Sequence, residues 1–429
     1  MPQRPFAPAQ SPRPTRRAAR GAIAIHTAVR PEDLVRALAD RPYPVMTSYL
    51  GTTLVAADPI EVVTGPAVWA ALDLRVRTTT GAPLGAWLGY LGYDLGTRER
   101  WGTPPVAAHA RPPVAVLCRY GALAQIAPDG RCRILGGGRR AGRLAAIAAA
   151  LSPVPAAPAP QPGRAPATSL DAGTYVDRAA EIIERIRAGD CSQVNLVQRL
   201  SADWGGDGPE FADRLWAAAG PASHRAYFGT PHGVLVSASP ERLLAVRDAV
   251  AVSAPIKGTA PLGRGAALAA SAKDRAEHVM IVDLVRNDLG RVARVGGVSV
   301  PRLLVPLTTS YVEHLVSEVR AELASGARVA DVLGAVFPGG SITGCPKLAS
   351  MRVIAELEPV PRGPAFGSMV AVGADGGVDA SVLIRTAWLH DGQAWYWSGG
   401  GVTWDSDPAA EHAEAMVKAR PFLEAIGCA

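Results

Sequence analysis

The chain has 429 residues, of which 48% are apolar and 19% charged; it is long enough for two or three ordinary domains and too apolar for global disorder. Its formal charge of +6 is concentrated at one end, because Arg4, Arg13, Arg16, Arg17 and Arg20 contribute five charges with no acid among them. The near-neutral remainder excludes a general phosphate-binding field, and no apolar run approaches the ~20 residues of a spanning helix, so neither nucleic acid nor a membrane is expected as a partner.

In chain order, residues 1–20 read as a basic, Pro-rich leader. Pro2, Pro5, Pro8, Pro12 and Pro14 break the amphipathic helix of a transit peptide, and no apolar stretch follows, so a disordered segment is expected. An N-terminal region, 21–151, closes on an Ala-rich helix read from Gly142 to Leu151. Residues 152–169 hold six Pro and five Ala, a composition that suits a linker rather than a helix or a sheet interior. The C-terminal region, 170–427, alternates helices and strands. Tyr175, Val176, Ala179, Ile182, Ile183 and Ile186 recur at helical spacing up to Gly189. Gln193–Leu200, Gly233–Ser237 and Ala249–Pro255 read as strands. A long helix spans Ser271–Val292, with Ser271 as its cap and Val279, Met280 and Leu284 on its apolar side. Short helices follow at Asp331–Phe337 and Lys347–Leu357, then strands at Val370–Val372, Ala380–Leu389 and Ala394–Ser398. The last helix has Asp407 as cap and Pro408 in its first turn.

Cys118, Cys132, Cys191, Cys345 and Cys428 are odd in number, scattered and without a CxxC pair. Neither a disulfide framework nor a structural zinc site has its spacing, and a reducing, cytoplasmic setting is expected. The eight histidines contain no HExxH pair.

Gly339-Gly340-Ser341-Ile342-Thr343-Gly344-Cys345-Pro346-Lys347 superficially has the pattern of a phosphate-binding loop, but Cys345 and Pro346 intervene before the lysine, and Pro346 has no N–H to offer. It reads as a tight turn opening a helix, whose N–H groups suit a carboxylate. Gly399-Gly400-Gly401 follows a Trp-rich strand; three glycines allow positive φ and close approach to a ligand, and equally a plain hairpin turn. Glu411, Glu414 and Lys418 share one face of the last helix, while Asp274 and Glu277 share a face of the Ser271 helix beside Lys273 and His278. Each set alone is an ordinary surface charge cluster; together, two acidic faces suit one hard divalent cation such as Mg2+. Ser239-Pro240-Glu241-Arg242 puts Glu241 at a strand end. Pro255-Ile256-Lys257-Gly258-Thr259 puts Lys257 before a glycine, where a lysine is either solvated or, with a depressed pKa, a nucleophile.

The ordered set Gln193-Val194-Asn195-Leu196, SPER at 239–242, PIKGT at 255–259, DRAEHVMIVDLVRNDLGR at 274–291, GGSITGCPK at 339–347, Ile384-Arg385-Thr386 and the glycine-to-helix block 399–419 resembles the chorismate-utilising family. That family includes anthranilate, aminodeoxychorismate, isochorismate and salicylate synthases. The likeness is strong over 170–425 and weak before it. It implies an α+β fold of the anthranilate synthase component I type: two large, mainly antiparallel sheets packed together, helices outside, and the site in a cleft between them. It implies chorismate as substrate and Mg2+ as cofactor, with Glu277 and Glu414 as metal ligands and Glu411 and Asp274 adjacent or acting through water. Arg385 and Lys418 match residues that hold the substrate carboxylates, a role that suits a dianion. Gly258, Thr259, Gly399, Gly400 and Gly401 match close backbone contacts, and His314 matches a histidine near the leaving group. Glu241 matches the general acid that protonates the departing 4-hydroxyl.

Two positions separate the members. Where isochorismate and salicylate synthases carry a water-activating lysine, this chain has Gln193, grouped here with the substrate-binding residues; where anthranilate synthases typically carry alanine, it has Lys257, as aminodeoxychorismate synthases do. The resemblance therefore implies amination of chorismate at C4 through a covalent Lys257 intermediate, giving 4-amino-4-deoxychorismate for 4-aminobenzoate and folate or a related product. The nucleophile must be neutral, and Mg2+ and Arg385 are expected to depress its pKa. The alternatives are anthranilate synthase component I, with Lys257 a passenger, and a catalytically silent scaffold or regulatory subunit. No glutaminase signature is present, so ammonia is expected from a separate glutamine amidotransferase subunit, a heterodimer. Ala365-Phe366-Gly367 lacks a family tyrosine, Ala260 replaces a usual arginine, and Thr47-Ser48-Tyr49-Leu50-Gly51 stands where a tryptophan-binding motif is expected, which argues against tryptophan binding.

Overall fold

Runs such as Trp87–Leu91, Ser368–Val372 and Val378–Val382 are buried at every position, the pattern of strands covered on both faces. They belong to one of two large sheets in the computed structural model, which describes residues 22–77, 82–96, 112–152, 163–308 and 312–428. The leader 1–20 and most of the 152–169 segment lie outside those residues. The first sheet has twelve strands and the second ten, and every described pairing is antiparallel. The α+β architecture of two packed sheets is thus as expected. Val45–Tyr49 pairs with His224–Thr230 in the first sheet, and Trp87–Leu91 pairs with Ser368–Val372 in the second. Strands from either side of 152–169 therefore share both sheets. The last residues of that segment are ordered: Ala167–Thr168 pairs with Leu200 and Ser201.

One core fills the space between the sheets and includes Tyr90, Leu235, Leu244, Val370 and Trp388. A second lies on the outer face of the first sheet, where Leu34, Leu144, Phe211, Trp216 and Phe422 cover Val236 and Tyr396. The helices Pro31–Ala37, Gly138–Ala149, Gly208–Ala219 and Pro408–Ala425 supply those covering side chains. Neighbours such as Leu235 and Val236 divide between the two cores because strand side chains alternate.

The chain changes sheet twice at adjacent places. Gly233–Ser239 lies in the first sheet and Arg242–Arg247 in the second, leaving Pro240 and Glu241 at the crossing. Val378–Val382 lies in the second and Thr386–His390 in the first, leaving Leu383, Ile384 and Arg385. The Val382 N–H donates to Glu241 O and the Ala238 N–H to Arg385 O, each at 3.0 Å, which ties the crossings side by side. This corrects the single strand read over Ala380–Leu389: Arg385 sits at φ +50, a conformation that ends a strand.

Other boundaries shift for local reasons. The Ala-rich helix spans Gly138–Ala149, starting a turn before Gly142, because a glycine inside a helix is tolerated when Ala141, Leu144 and Ala148 are buried. The long helix spans Ala272–Gly290, with Ser271 accepting from Asp274 N at 3.3 Å as its cap. Its buried side is His278, Ile281, Val282, Val285 and Leu289, whereas Val279 is 45% exposed. The reading through Val279, Met280 and Leu284 was a flank of that stripe, about 100° off per residue. Among the described residues no helix is long and apolar enough to cross a membrane.

Arg362, 1% exposed, is the largest charged group in the core. It grips Glu358 with two bonds of 2.9 and 2.7 Å and donates to Ile342 O and Asn195 O at 2.8 Å each. Tyr93 and Phe366 flank its guanidinium, with ring centroids at 4.4 and 4.9 Å. Glu358 in turn accepts from Val197 N at 3.0 Å. Arg362→Met removes the counter-ion of a buried carboxylate, and the unfolding free energy in urea is expected to fall by about 3–5 kcal/mol. Arg362→Met/Glu358→Gln recovers part of that loss, since a neutral amide still accepts from Val197.

Candidate active site

The edge strand Ile256–Pro261 slips in its pairing with Val312–Leu323: Lys257 faces Leu315, then Thr259 faces His314. The intervening Gly258 takes φ +69, and a Cβ there would press on Leu268 at 3.0 Å and meet Asp274 Oδ1 at 3.4 Å. Only glycine holds this bulge without strain. The Gly258 carbonyl accepts from His314 Nδ1 at 3.1 Å. Thr259 contributes backbone here; its side chain lies outside the described residues.

Opposite this bulge runs the strand Gln393–Val402, in which Gly399, Gly400 and Gly401 continue the ladder to Val197, Leu196 and Asn195. They form no hairpin turn and none takes a positive φ; what they supply is absent side chains. The point a Cβ on Gly401 would occupy lies 2.1 Å from Gln193 Nε2 and 3.4 Å from Lys257 Nζ. At Gly400 that point lies 3.1 Å from Glu411 Oε2 and 3.6 Å from Lys418 Nζ. At Gly399 it would collide with the Leu196 carbonyl at 2.0 Å. Amide, amine and carboxylate therefore occupy the hollow that the glycines leave.

Glu241, at the first sheet crossing, is buried. Burial pushes its carboxyl up to about 7, against hydrogen bonds from the Ser341 hydroxyl and the Ile256 N–H and the attraction of Lys257. Burial likewise pushes the Lys257 amine below its ordinary value; Lys418 adds to the lowering, while Glu277, Glu241 and Glu414 oppose it. The depression expected from Arg385 thus comes from burial and Lys418. His314 is held toward its neutral form by burial, with Arg385 and Lys418 acting the same way and the Gly258 carbonyl opposing them. These influences place Lys257, Glu241, Glu277, Glu414, Lys418, His314 and Arg385 around one space, although they come from six separate segments: two strands, two helices and the two sheet crossings.

The last helix is capped by Asp407, which accepts from Ala410 N at 2.8 Å. It presents Glu414 to Lys418 at 2.7 Å, and Lys418 also donates to Gly399 O at 3.2 Å. Glu411 accepts from the Ser406 hydroxyl at 2.7 Å. Among the described residues no three His, Cys, Asp or Glu side chains form a ready-made metal cage, Glu277, Glu411 and Glu414 included. His278 leaves the surface cluster to which its neighbours were assigned: it is fully buried, bonded to Ser317 Oγ at 2.7 Å, and burial and the Lys257 charge push its imidazole down to about 4.

A family model described as chorismate binding enzyme matches residues 42–424. The chain belongs to the chorismate-binding enzyme family. It is 37% identical over 384 residues to the aminodeoxychorismate synthase component 1 of Klebsiella aerogenes, covering 86% of this chain and 83% of that one. It is 34% identical over 412 residues to the anthranilate synthase component 1 of Streptomyces coelicolor, covering 88% and 80%. Anthranilate synthase component I from Streptococcus pneumoniae has a similar fold, with a TM-score of 0.73 at 22% identity over 98% of this chain and 95% of that one.

In this chorismate-binding enzyme the site also recruits residues that the motif reading did not single out. Ser341 belongs to the glycine-rich run judged against phosphate-binding loops, yet its hydroxyl serves Glu241. Asn195 lies inside a quoted motif, two residues from Gln193 on the same strand face, and that alternation was the available signal. Tyr175, which looked like plain helix core, donates to Leu196 O at 3.1 Å under the glycine strand. No one-dimensional signal marks it.

Glu241 also makes stability depend on pH. Its folded pKa of about 7 lies above the ordinary 4.5, so between those values the native state holds a proton that the unfolded state has released. Stability is therefore lost as pH rises across that window, by up to about 3 kcal/mol. Urea unfolding at pH 5 and pH 7.5 is expected to show this loss for the wild type and to show it reduced by that amount in Glu241→Gln.

Proposed function

We propose that this enzyme aminates chorismate at C4 with ammonia, giving 4-amino-4-deoxychorismate. One observation carries the reading: the pKa-depressed amine of Lys257 and the partly protonated carboxyl of Glu241 face the same space. One is a nucleophile in its reactive form, the other an acid able to donate near neutral pH. The neutral Lys257 amine attacks C2 of the ring; the double bonds shift, and the C4–O bond breaks as Glu241 protonates the leaving hydroxyl to water. Ammonia then adds at C4, the double bonds return, and the C2–N bond to Lys257 breaks, restoring the amine. The balance is chorismate plus ammonia giving aminodeoxychorismate plus water.

Arg385 and Lys418 offset the substrate carboxylates, and His314, held neutral by its surroundings, stands by the leaving group. Gly258, Thr259 and the Gly399–Gly401 strand admit the ring to close backbone contact. Mg2+ takes one or two carboxylates together with water and substrate oxygens, so Glu277 and Glu414, which approach Lys257 from two different helices, suit it as a donor set. Glu411 and Asp274 stand adjacent. When bound, Mg2+ offsets the charge of the ring carboxylate. The remaining assignments follow from the same reading: a glutamine amidotransferase subunit as the ammonia source, a cytoplasmic setting, and a product bound for 4-aminobenzoate and folate or a related compound. All these side chains fall within 170–427, proposed as the catalytic region.

The test is incubation with chorismate, Mg2+ and ammonium, with the product identified by mass and by conversion to 4-aminobenzoate with a lyase. Aminodeoxychorismate is expected; anthranilate would make the chain an anthranilate synthase, and no turnover would leave the scaffold reading. Lys257→Ala is expected to lose at least about 10^3-fold in amination while keeping the wild-type circular dichroism spectrum and unfolding midpoint. Because Glu241 must be protonated, kcat/KM should fall as pH rises above about 7.

A further inference from the structure

Two successive carbonyls of the bulged strand Ile256–Pro261 each meet an imidazole from elsewhere in the chain. The Gly258 carbonyl accepts from His314 Nδ1 at 3.1 Å. The carbonyl before it, that of Lys257, lies against His278 of the helix Ala272–Gly290: the Lys257 backbone favours the protonated form of that ring, as a carbonyl receiving an N–H does. His278 is 0% exposed, so both its ring nitrogens need partners from the protein itself.

Nε2 has one. It lies 2.7 Å from Ser317 Oγ, and that hydroxyl accepts the Leu304 N–H at 3.0 Å. The Ser317 proton is then directed to Nε2, the acceptor beside it, and the ring N–H is left on Nδ1. Ser317 is itself fixed, since its N–H donates to Pro255 O at 3.2 Å, two residues ahead of Lys257. Nδ1 has no hydrogen bond of full geometry among the described residues, which leaves the Lys257 carbonyl as the acceptor that acts on it. Bonds of this kind are often long before substrate binds and tighten in the complex.

We propose that His278 is the positioning residue of Lys257: its Nδ1–H holds the Lys257 carbonyl and so fixes the backbone from which the amine reaches the substrate. The inference rests on the amination reading and adds a residue that acts only through Lys257. A flexible four-carbon stem places its amine no better than its base is held, and a misplacement of about 1 Å costs about 10^2-fold in rate. Ser317, tied to Leu304 and Pro255, is the anchor behind the ring.

The experiment compares His278→Asn, His278→Gln and His278→Phe with the wild type. Asparagine puts an amide N–H where Nδ1 stands and deprives Ser317 of its acceptor. Glutamine keeps a polar group at the Nε2 position for Ser317 and loses the donor to Lys257; phenylalanine loses both. For each protein, kcat for amine formation at saturating chorismate, ammonium and Mg2+ is measured beside the urea unfolding midpoint. In His278→Asn kcat is expected to stay within about threefold of the wild type, while in His278→Gln and His278→Phe it falls about tenfold, the worth of one neutral hydrogen bond. The unfolding midpoint is expected to fall further in His278→Asn than in His278→Gln. A histidine with a merely structural role cannot produce these opposite orders, because its kcat per folded enzyme would follow the midpoint. A kcat that follows the midpoint, or that is unchanged in His278→Gln, overturns the positioning role and leaves the amination reading standing. If His278→Gln fails to fold, rescue by asparagine relative to phenylalanine decides the matter, and equal rates in the two overturn the proposal. A wild type that forms no amine from chorismate and ammonium overturns the amination reading and the positioning role with it.

Discussion

An amine and a carboxyl keep shifted pKa values only where water is scarce, and water is scarce here because two sheets approach closely around residues without side chains. Gly401 leaves the room that Gln193 and Lys257 fill, Gly400 the room for Glu411 and Lys418, and Gly258 the bulge after Lys257, whose carbonyl His314 bonds. A methyl group at Gly401 would fall 2.1 Å from the Gln193 amide. The electrostatics of the site thus depend on backbone approach: desolvation is the leading cause of the shifts at Glu241, Lys257 and His314 alike, and desolvation is a matter of packing.

The two sheet crossings explain why polar groups gather at this point. Glu241 and Arg385 stand at the two places where the chain leaves one sheet for the other, outside either ladder, while Leu383 at the second crossing packs into the core between the sheets. The reciprocal bonds Val382 to Glu241 and Ala238 to Arg385 hold the crossings in register. Below them, the buried Arg362–Glu358 pair ties the carbonyls of Asn195 and Ile342 together. The strand that faces the ring space and the turn that carries Ser341 are consequently one rigid unit. A buried ion pair is weak evidence for net stability; its use here is to connect two backbones that the site requires at constant separation.

Membership of the chorismate-binding enzyme family accounts for the scaffold, while identities of 37% to an aminodeoxychorismate synthase component and 34% to an anthranilate synthase component leave the choice of amine position to individual side chains. On the proposed reading, Lys257 is the residue on which that choice turns. Its neighbours form a mixed field, with Lys418 lowering and three carboxylates raising its pKa, so binding or removing any one charge nearby changes the fraction of neutral amine. On the proposed reading, a cation held between the acidic helix faces would raise the fraction of neutral Lys257 amine by offsetting the carboxylates that oppose its depression.

Much was legible in one dimension. Caps at Ser271 and Asp407 and the helix Lys347–Leu357 follow from local hydrogen bonding and side-chain periodicity, which neighbouring residues decide among themselves. The ordered motifs identified the family because chemistry requires particular residue types at fixed places along the chain. Other features had no such local cause. The split of 380–389 between two sheets, the role of three glycines as absent side chains rather than a turn, the burial of His278 and the use of Ser341 and Asn195 all depend on what packs against them from distant parts of the chain. Composition, caps and periodicity are short-range properties, and so the sequence alone determined elements, family and the candidate charges. Which of those charges lose their water, and which face one another, is a long-range property of two sheets meeting, and only the tertiary structure decided it.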